Sequence, residues 1–138
     1  MCPRTLVLGG GIAGLTAALE LADAGYPVVL VEKEDHLGGN LARIDLTAPY
    51  LDSARDLLSE RITRVRENPN VEVLLKSSLK SLSGFVGNFQ AVVAGSGGGF
   101  GHLDGPDRTV DIGAVVVCTG YKEFDAGRIT HFGYGKLP

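Results

Sequence analysis

Apolar positions along the chain come in three spacings, and each spacing predicts a different element. Thr5–Gly9, Val28–Val31, Val71–Leu75 and Gly113–Cys118 are short, almost solid apolar runs. A strand with no polar side is one covered on both faces, so these runs predict a parallel sheet. Ile12–Ala24 instead repeats at three and four residues, through Ile12, Leu15, Ala18, Leu19 and Leu21-Ala22. That is the stripe of an amphipathic helix, and its alanines favour the helical state. Ala24-Gly25-Tyr26-Pro27 supplies a C-terminal stop. A second helical stripe runs over Leu51–Asn68 through Leu51, Ala54, Leu57-Leu58, Ile62 and Val65. Arg55, Glu60, Arg61, Arg64 and Arg66 fill its other side, expected to be a solvated face.

From Leu79 the spacing changes. Leu79–Val86, Phe89–Ala94 and Thr109–Ile112 predict three short antiparallel strands, with Gly87-Asn88 as a tight turn between the first two. Gly95–Asp107, with six glycines, predicts a loop. Met1–Arg4 reads as a frayed tail, Ala42–Tyr50 fits no single element, and Tyr121–Pro138 has little periodicity. The sum is an α/β chain, with a parallel sheet and a three-stranded β-meander.

The chemistry is concentrated between Leu6 and Asn40. The first strand runs into Gly9-Gly10-Gly11-Ile12-Ala13-Gly14, the helix and second strand follow, and Glu32 closes that strand. This is a dinucleotide-binding fingerprint in its full strand–helix–strand context. Gly9 permits a sharp turn, Gly11 leaves room for a pyrophosphate against the backbone, and Gly14 lets the helix pack close to the sheet. The free N–H groups of Ile12, Ala13 and Gly14, at the positive end of the helix dipole, suit the phosphates. Glu32 lies 18 positions after Gly14, near the roughly 20 expected of an acid that accepts ribose hydroxyls. Its charge disfavours a 2′-phosphate.

Gly38-Gly39 follows six residues after Glu32. A plain NAD site has no need of this second pair, so the pattern points to FAD. Lys33 is expected beside the ribose or adenine. Thr119-Gly120, at the end of the last apolar strand, is expected to make a third close approach on the pyrophosphate side. The fold class is thus a Rossmann-like FAD/NAD(P)-binding domain, and no catalytic base, nucleophile or metal ligand is nominated.

Composition narrows the partners. At 138 residues, 44% hydrophobic and 21% charged, the chain reads as one globular domain, residues 1–138. A net charge of −3 gives no footprint for nucleic acid or an anionic membrane. No apolar run is long enough to span a bilayer, and the first strand begins too early for a signal peptide. The expectation is a cytoplasmic protein. Cys2 and Cys118 form no CxxC pair. Cys118 is expected to be buried and Cys2 frayed. His36, His102 and His131 are scattered and expected on the surface.

Taken in order, these blocks resemble the FAD domain of glutathione reductase-like flavoproteins with two dinucleotide-binding domains. They resemble more closely the A subunit of heterodisulfide reductase. GGGIAG at Gly9–Gly14, LADAGYPVVLVEKEDHLGGN at Leu21–Asn40, GFVGNF at Gly84–Phe89, VVVCTGY at Val115–Tyr121 and the closing FGYGKLP carry the likeness. The resemblance implies FAD, an oxidoreductase, and a larger chain or partner redox subunit of which this is the N-terminal FAD-binding piece, not active alone. Association between copies is a further possibility. Two departures stand out. The family's cysteines after the glycine pair are replaced by IDLTAPYLDSARDLL, with Ser53 and Asp56 in that neighbourhood. The family's cysteine-rich, ferredoxin-like insert is replaced by AGSGGGFGHLDGPDR. Cluster-borne electron transfer is therefore not implied. An NAD(H)-binding domain and a non-catalytic association module remain the competing readings.

Overall fold

The computed structural model describes residues 1–95, 107–122, 124–129, 131 and 135. Most of the predicted glycine loop, His102 and most of FGYGKLP lie outside the described residues.

The chain runs β1 (Thr5–Leu8), α1 (Ile12–Asp23), β2 (Val28–Val31), a 3-10 turn (Gly39–Arg43), β3 (Leu46–Thr47), β4 (Asp52–Ser53), α2 (Ala54–Glu67) and β5 (Val71–Leu74). It continues through β6 (Ser78–Phe85), β7 (Asn88–Ala94), β8 (Arg108–Ile112) and β9 (Ala114–Val117), with a short 3-10 turn at Ala126–Arg128. A four-stranded sheet has the order β5-β2-β1-β9, every pair parallel. The sheet β6-β7-β8 is the antiparallel meander.

The two cores explain the solid apolar runs. Val7, Val28, Leu30 and Val73 point to one face of the parallel sheet, against Leu15, Ala18, Leu19 and Ala22 of α1 and Leu58 and Val65 of α2. Leu6, Val29, Val31 and Leu74 point to the other, against Ala91, Val93, Val110 and Ile112 of the meander. Successive residues of β1 and β2 thus enter opposite cores, and neither strand has a solvent side. Burying each such side chain contributes about 1.5–3 kcal/mol. Glu72 in β5 is the charged exception. It pairs through both carboxylate oxygens with the Arg108 guanidinium of β8, which ties the meander to the edge of the parallel sheet.

The structure corrects several sequence expectations. The pairing Phe85↔Asn88 leaves Val86-Gly87 as the hairpin loop, so Asn88 is already in a strand. Gly87, with φ +90°, takes the loop position that favours glycine. The tail is not frayed: the Cys2 N–H donates to Gly87 O at 2.8 Å, and the Gly113 N–H donates to Arg4 O at 2.8 Å. Cys118 is half-buried, packed beside the helical core, rather than buried outright.

The second helix begins at Ala54, not Leu51. Ser53 caps it, its Oγ accepting from the Asp56 N–H at 3.2 Å. Leu51 stays outside, 66% exposed. The ambiguous stretch before it folds into the Gly39–Arg43 turn and the β3–β4 pair. Arg61 leaves the expected solvated face. It is half-buried, and its Nε has no hydrogen-bond partner among the described residues.

Candidate functional site

The carboxyl ends of β1, β2 and β9 bring three stretches of chain together. Parallel pairing sets this, because it aligns Leu8 with Val31 on one side and Val117 on the other. A crevice at the carboxyl ends of such strands is where open α/β sheets bind ligands.

The glycines of the first turn have different reasons to be there. Gly9 has φ +106°, and a Cβ on it would lie 2.3 Å from Cys118 O and 3.2 Å from Thr119 Cα. A Cβ on Gly14 would lie 1.8 Å from Gly9 O. Both are demanded by the chain's own packing, Gly9 against the end of β9 and Gly14 against the turn. Gly11 is different. Its φ of −75° and ψ of −177° are open to any residue. The nearest atom to its Cβ position is Gly39 Cα, 4.0 Å away. Neither backbone nor packing requires glycine at position 11. The space that a side chain would fill there is open.

Gly11 is also the N-cap of α1. It offers no side-chain acceptor, and the first turn carries no acidic residue. The N–H groups of the first turn have no intrahelical partner by construction. Ile12 is half-buried, Ala13 exposed and Gly14 buried. The result is a bare helix N-terminus beside open space, an arrangement suited to an anion.

The acid of β2 acts on the same turn. Glu32 is 7% exposed. Its Oε2 accepts from the Gly10 N–H at 2.6 Å and its Oε1 from the Glu34 N–H at 2.9 Å. Each oxygen keeps a further lone pair for a hydroxyl donor. Lys33 turns outward, its Nζ 3.8 Å from Glu34 Oε1.

The second glycine pair docks on the first. Gly38 N–H donates to Gly10 O at 2.8 Å, and Gly11 and Gly38 form an isolated parallel bridge. A Cβ on Gly39 would lie 3.2 Å from Gly11 Cα. Gly38, at φ +125°, has its Cβ position 2.7 Å from Leu58 Cδ2. Gly38 is therefore set by packing, whereas Gly39 presses directly on the turn. On the opposite flank Thr119 lies against Gly9, and Gly120 has φ +69° with nothing near its Cβ position.

The structure thus assembles Gly9, Gly11, Ile12, Ala13, Gly14, Glu32, Gly38, Gly39 and Thr119 around one turn, with Gly120 one residue beyond it and Lys33 at its margin. Sequence reasoning missed four neighbours. Leu37 is buried, with its Cδ2 2.5 Å from the Cβ position of Gly10. Leu58 closes on Gly38. Ser77, 2% exposed, donates its N–H to Glu32 O at 2.9 Å. Asn40 reaches Tyr121 across 81 positions. The run of apolar residues marked Leu58, but no local signal marked the rest. Among the described residues, no group of three or more His, Cys, Asp or Glu side chains is placed to hold a metal ion. No described helix is long and apolar enough to cross a membrane.

Residues 7–77 match the family of NAD(P)-binding Rossmann-like domains. The chain belongs to this family. It is also similar to curated proteins named as oxidoreductases. Over 88 residues it is 44% identical to an iron-sulfur A subunit of CoB–CoM heterodisulfide reductase from Methanopyrus kandleri, a match covering 64% of this chain and 13% of that one. A second match, 28% identical, is to the A subunit of the ferredoxin/F420H2-dependent CoB–CoM heterodisulfide reductase of Methanosarcina acetivorans. It covers 98% of this chain and 26% of that one. That alignment runs over 204 positions against a 138-residue chain, so the relative carries dozens of residues with no counterpart here. The chain spans about a quarter or less of these relatives.

Solved structures share the fold. L-proline dehydrogenase from P. horikoshii superposes with a TM-score of 0.69 at 24% identity, over 85% of this chain and 23% of that one. Thioredoxin reductase from Streptococcus pyogenes gives 0.67 at 22% identity, over 92% and 39%. The chain is thus a Rossmann-like domain similar to part of the heterodisulfide reductase A subunit, as its sequence blocks suggest.

Proposed function

We propose that the chain binds FAD through its adenosine diphosphate half, as the nucleotide-binding domain of an oxidoreductase similar to the A subunit of heterodisulfide reductase. Gly11 carries this reading. It is a glycine that neither backbone nor packing needs, beside a bare helix N-terminus and under a second glycine segment. A pyrophosphate against Gly11 and the N–H groups of Ile12, Ala13 and Gly14 gives that glycine its purpose. Glu32, already held by two N–H donors, accepts from the ribose hydroxyls and repels a 2′-phosphate. Thr119 and Gly120 border the pyrophosphate on the other flank, and Lys33 stands at the nucleoside end. Bound flavin supplies electron transfer, while the chain's residues hold and orient it.

Gly38-Gly39 favours FAD over NAD, because the chain commits a second glycine segment to the same turn. The NAD(H) reading stands second, favoured by the family match at residues 7–77. On either reading the remainder of a longer chain, or a partner redox subunit, completes the protein in the cytoplasm. This piece alone does not turn over. Equilibrium titration with FAD, NADH and ADP decides between them. FAD binding more tightly than ADP while NADH gains nothing over ADP supports the first reading, NADH binding more tightly than FAD favours the second, and no binding by any of the three points to an association module.

A further inference from the structure

Two walls flank the open space at Gly11, and each is seated on a different end of the glycine turn. Gly39 sits on Gly11, and Thr119 sits on Gly9. Backbone hydrogen bonds anchor them, from the Gly38 N–H to Gly10 O and from the Cys118 N–H to Leu8 O. Beyond these anchors each wall leaves the sheet at a glycine of positive φ, +53° at Gly39 and +69° at Gly120. The next residue on one wall is Asn40, and on the other Tyr121. Asn40 Nδ2 donates to the Tyr121 carbonyl at 3.3 Å. Among the described residues this is the hydrogen bond that joins the two walls past the turn.

Asn40 is half-buried and has no role in either core. We propose that Asn40 is a positioning residue: by clamping the Tyr121 carbonyl it fixes the distance between the two walls, and so orients the part of a dinucleotide that extends beyond its pyrophosphate. The inference rests on the proposed FAD reading. On that reading the adenosine end lies at Glu32 and the pyrophosphate against Gly11, where Gly39 is seated, and Asn40 and Tyr121 are the next residues along the two walls. A ligand that ends at the diphosphate reaches only the foot of the walls, at Gly39 and Thr119, whereas a longer one continues along them toward the Asn40–Tyr121 hydrogen bond. Asn40 acts on the second kind only, through the backbone it holds.

The test compares ADP with FAD in the full chain. Asn40→Asp keeps the volume and removes the donor, Asn40→Ala removes both, and Asn40→Gln returns a donor on a longer arm. Both donor-less variants are expected to bind FAD roughly 5- to 10-fold more weakly, the loss of about one hydrogen bond. Faster flavin release should accompany this, read by flavin fluorescence anisotropy, while ADP affinity and melting temperature stay at wild-type values. Asn40→Gln should recover part of the FAD affinity. Equal losses for ADP and FAD, or a lowered melting temperature with them, make Asn40 merely structural and overturn the proposal. Unchanged FAD binding in both donor-less variants also overturns it. If the wild-type chain binds neither ligand, the FAD reading falls and this inference with it.

Discussion

The Gly10 N–H donates to Glu32 Oε2 at 2.6 Å, so the acid that ends β2 closes the turn that ends β1. The carboxylate proposed to accept the ribose hydroxyls therefore also holds the turn together. Glu32→Ala leaves the Gly10 and Glu34 N–H groups without this acceptor. Hydrogen bonds to a charged group contribute about 1.5–3 kcal/mol each, so a stability loss of that order is expected in urea unfolding. Glu32→Gln keeps an acceptor and should lose less. A stability equal to wild type in Glu32→Ala would show that the link contributes nothing to the turn.

Gly11 and Gly14 should separate in their effects. Gly11→Ala puts a methyl into open space at an ordinary φ, so its stability should stay within about 1 kcal/mol of wild type. Nucleotide binding should nonetheless fall sharply. Gly14→Ala drives a Cβ to 1.8 Å from Gly9 O, and something must move. A loss of about 3 kcal/mol is expected from such overpacking. Thermal unfolding of the two variants side by side checks this, and equal losses would contradict it.

Leu58→Ala should act at a distance from its own helix. Leu58 fills the space against Gly38, and its removal leaves a cavity under the second glycine segment. The expected loss is about 2–4 kcal/mol, with faster hydrogen exchange at the Gly38 amide. An unchanged Gly38 protection factor would mean that the segment is held without Leu58.

The Arg108–Glu72 pair should contribute little and be insensitive to neutral pH. Both side chains are more than one-third exposed, so removing it with Glu72→Gln should cost no more than about 1 kcal/mol after solvent screening. The hydrogen bond to Glu72 raises the Arg108 pKa above its ordinary value. A raised folded-state pKa gives stability that is present below the unfolded value and lost only above the folded one. Unfolding free energies of wild type and Glu72→Gln should therefore differ by a constant amount between neutral pH and pH 10. A difference that changes within that window would contradict the pairing.

At the margin of the site, the hydrogen bond from His36 to Asp35 holds that carboxyl below its ordinary 3.8, with Lys76 acting in the same direction. A lowered folded-state pKa stabilises the fold above the unfolded value and loses that effect as pH falls through the folded one. Carbon-detected titration should place Asp35 below the usual carboxylate range, and His36→Ala should move it up. No movement would remove His36 as the cause.

The strands buried from two sides were the plainest elements in the hydrophobic pattern. Val28–Val31 faces both cores and carries no polar residue, so its place in a parallel sheet could be read directly. The glycine turn was legible as well, because Gly9 and Gly14 have no tolerance for a side chain. What could not be read was contact between loops. Cys2 is held by Gly87, and Leu37 meets Gly10, through pairings that only the folded topology creates. The hairpin loop was misplaced by one residue, because Gly-Asn and Val-Gly both fit the local turn chemistry. Only the cross-strand register at Phe85↔Asn88 decides between them. Ser53 and Asp56 form the cap of the second helix.

The meander has a consequence for how such a chain changes over time. Its last connection is closed by the pair Val93↔Arg108, whatever lies between. Closing a flexible loop costs only about 0.6 kcal/mol for each doubling of its length. A segment of very different size can therefore be exchanged at this point while β7, β8 and the glycine turn keep their register. The same nucleotide-binding frame is then able to serve chains with and without additional modules, at a thermodynamic difference smaller than that of one buried leucine.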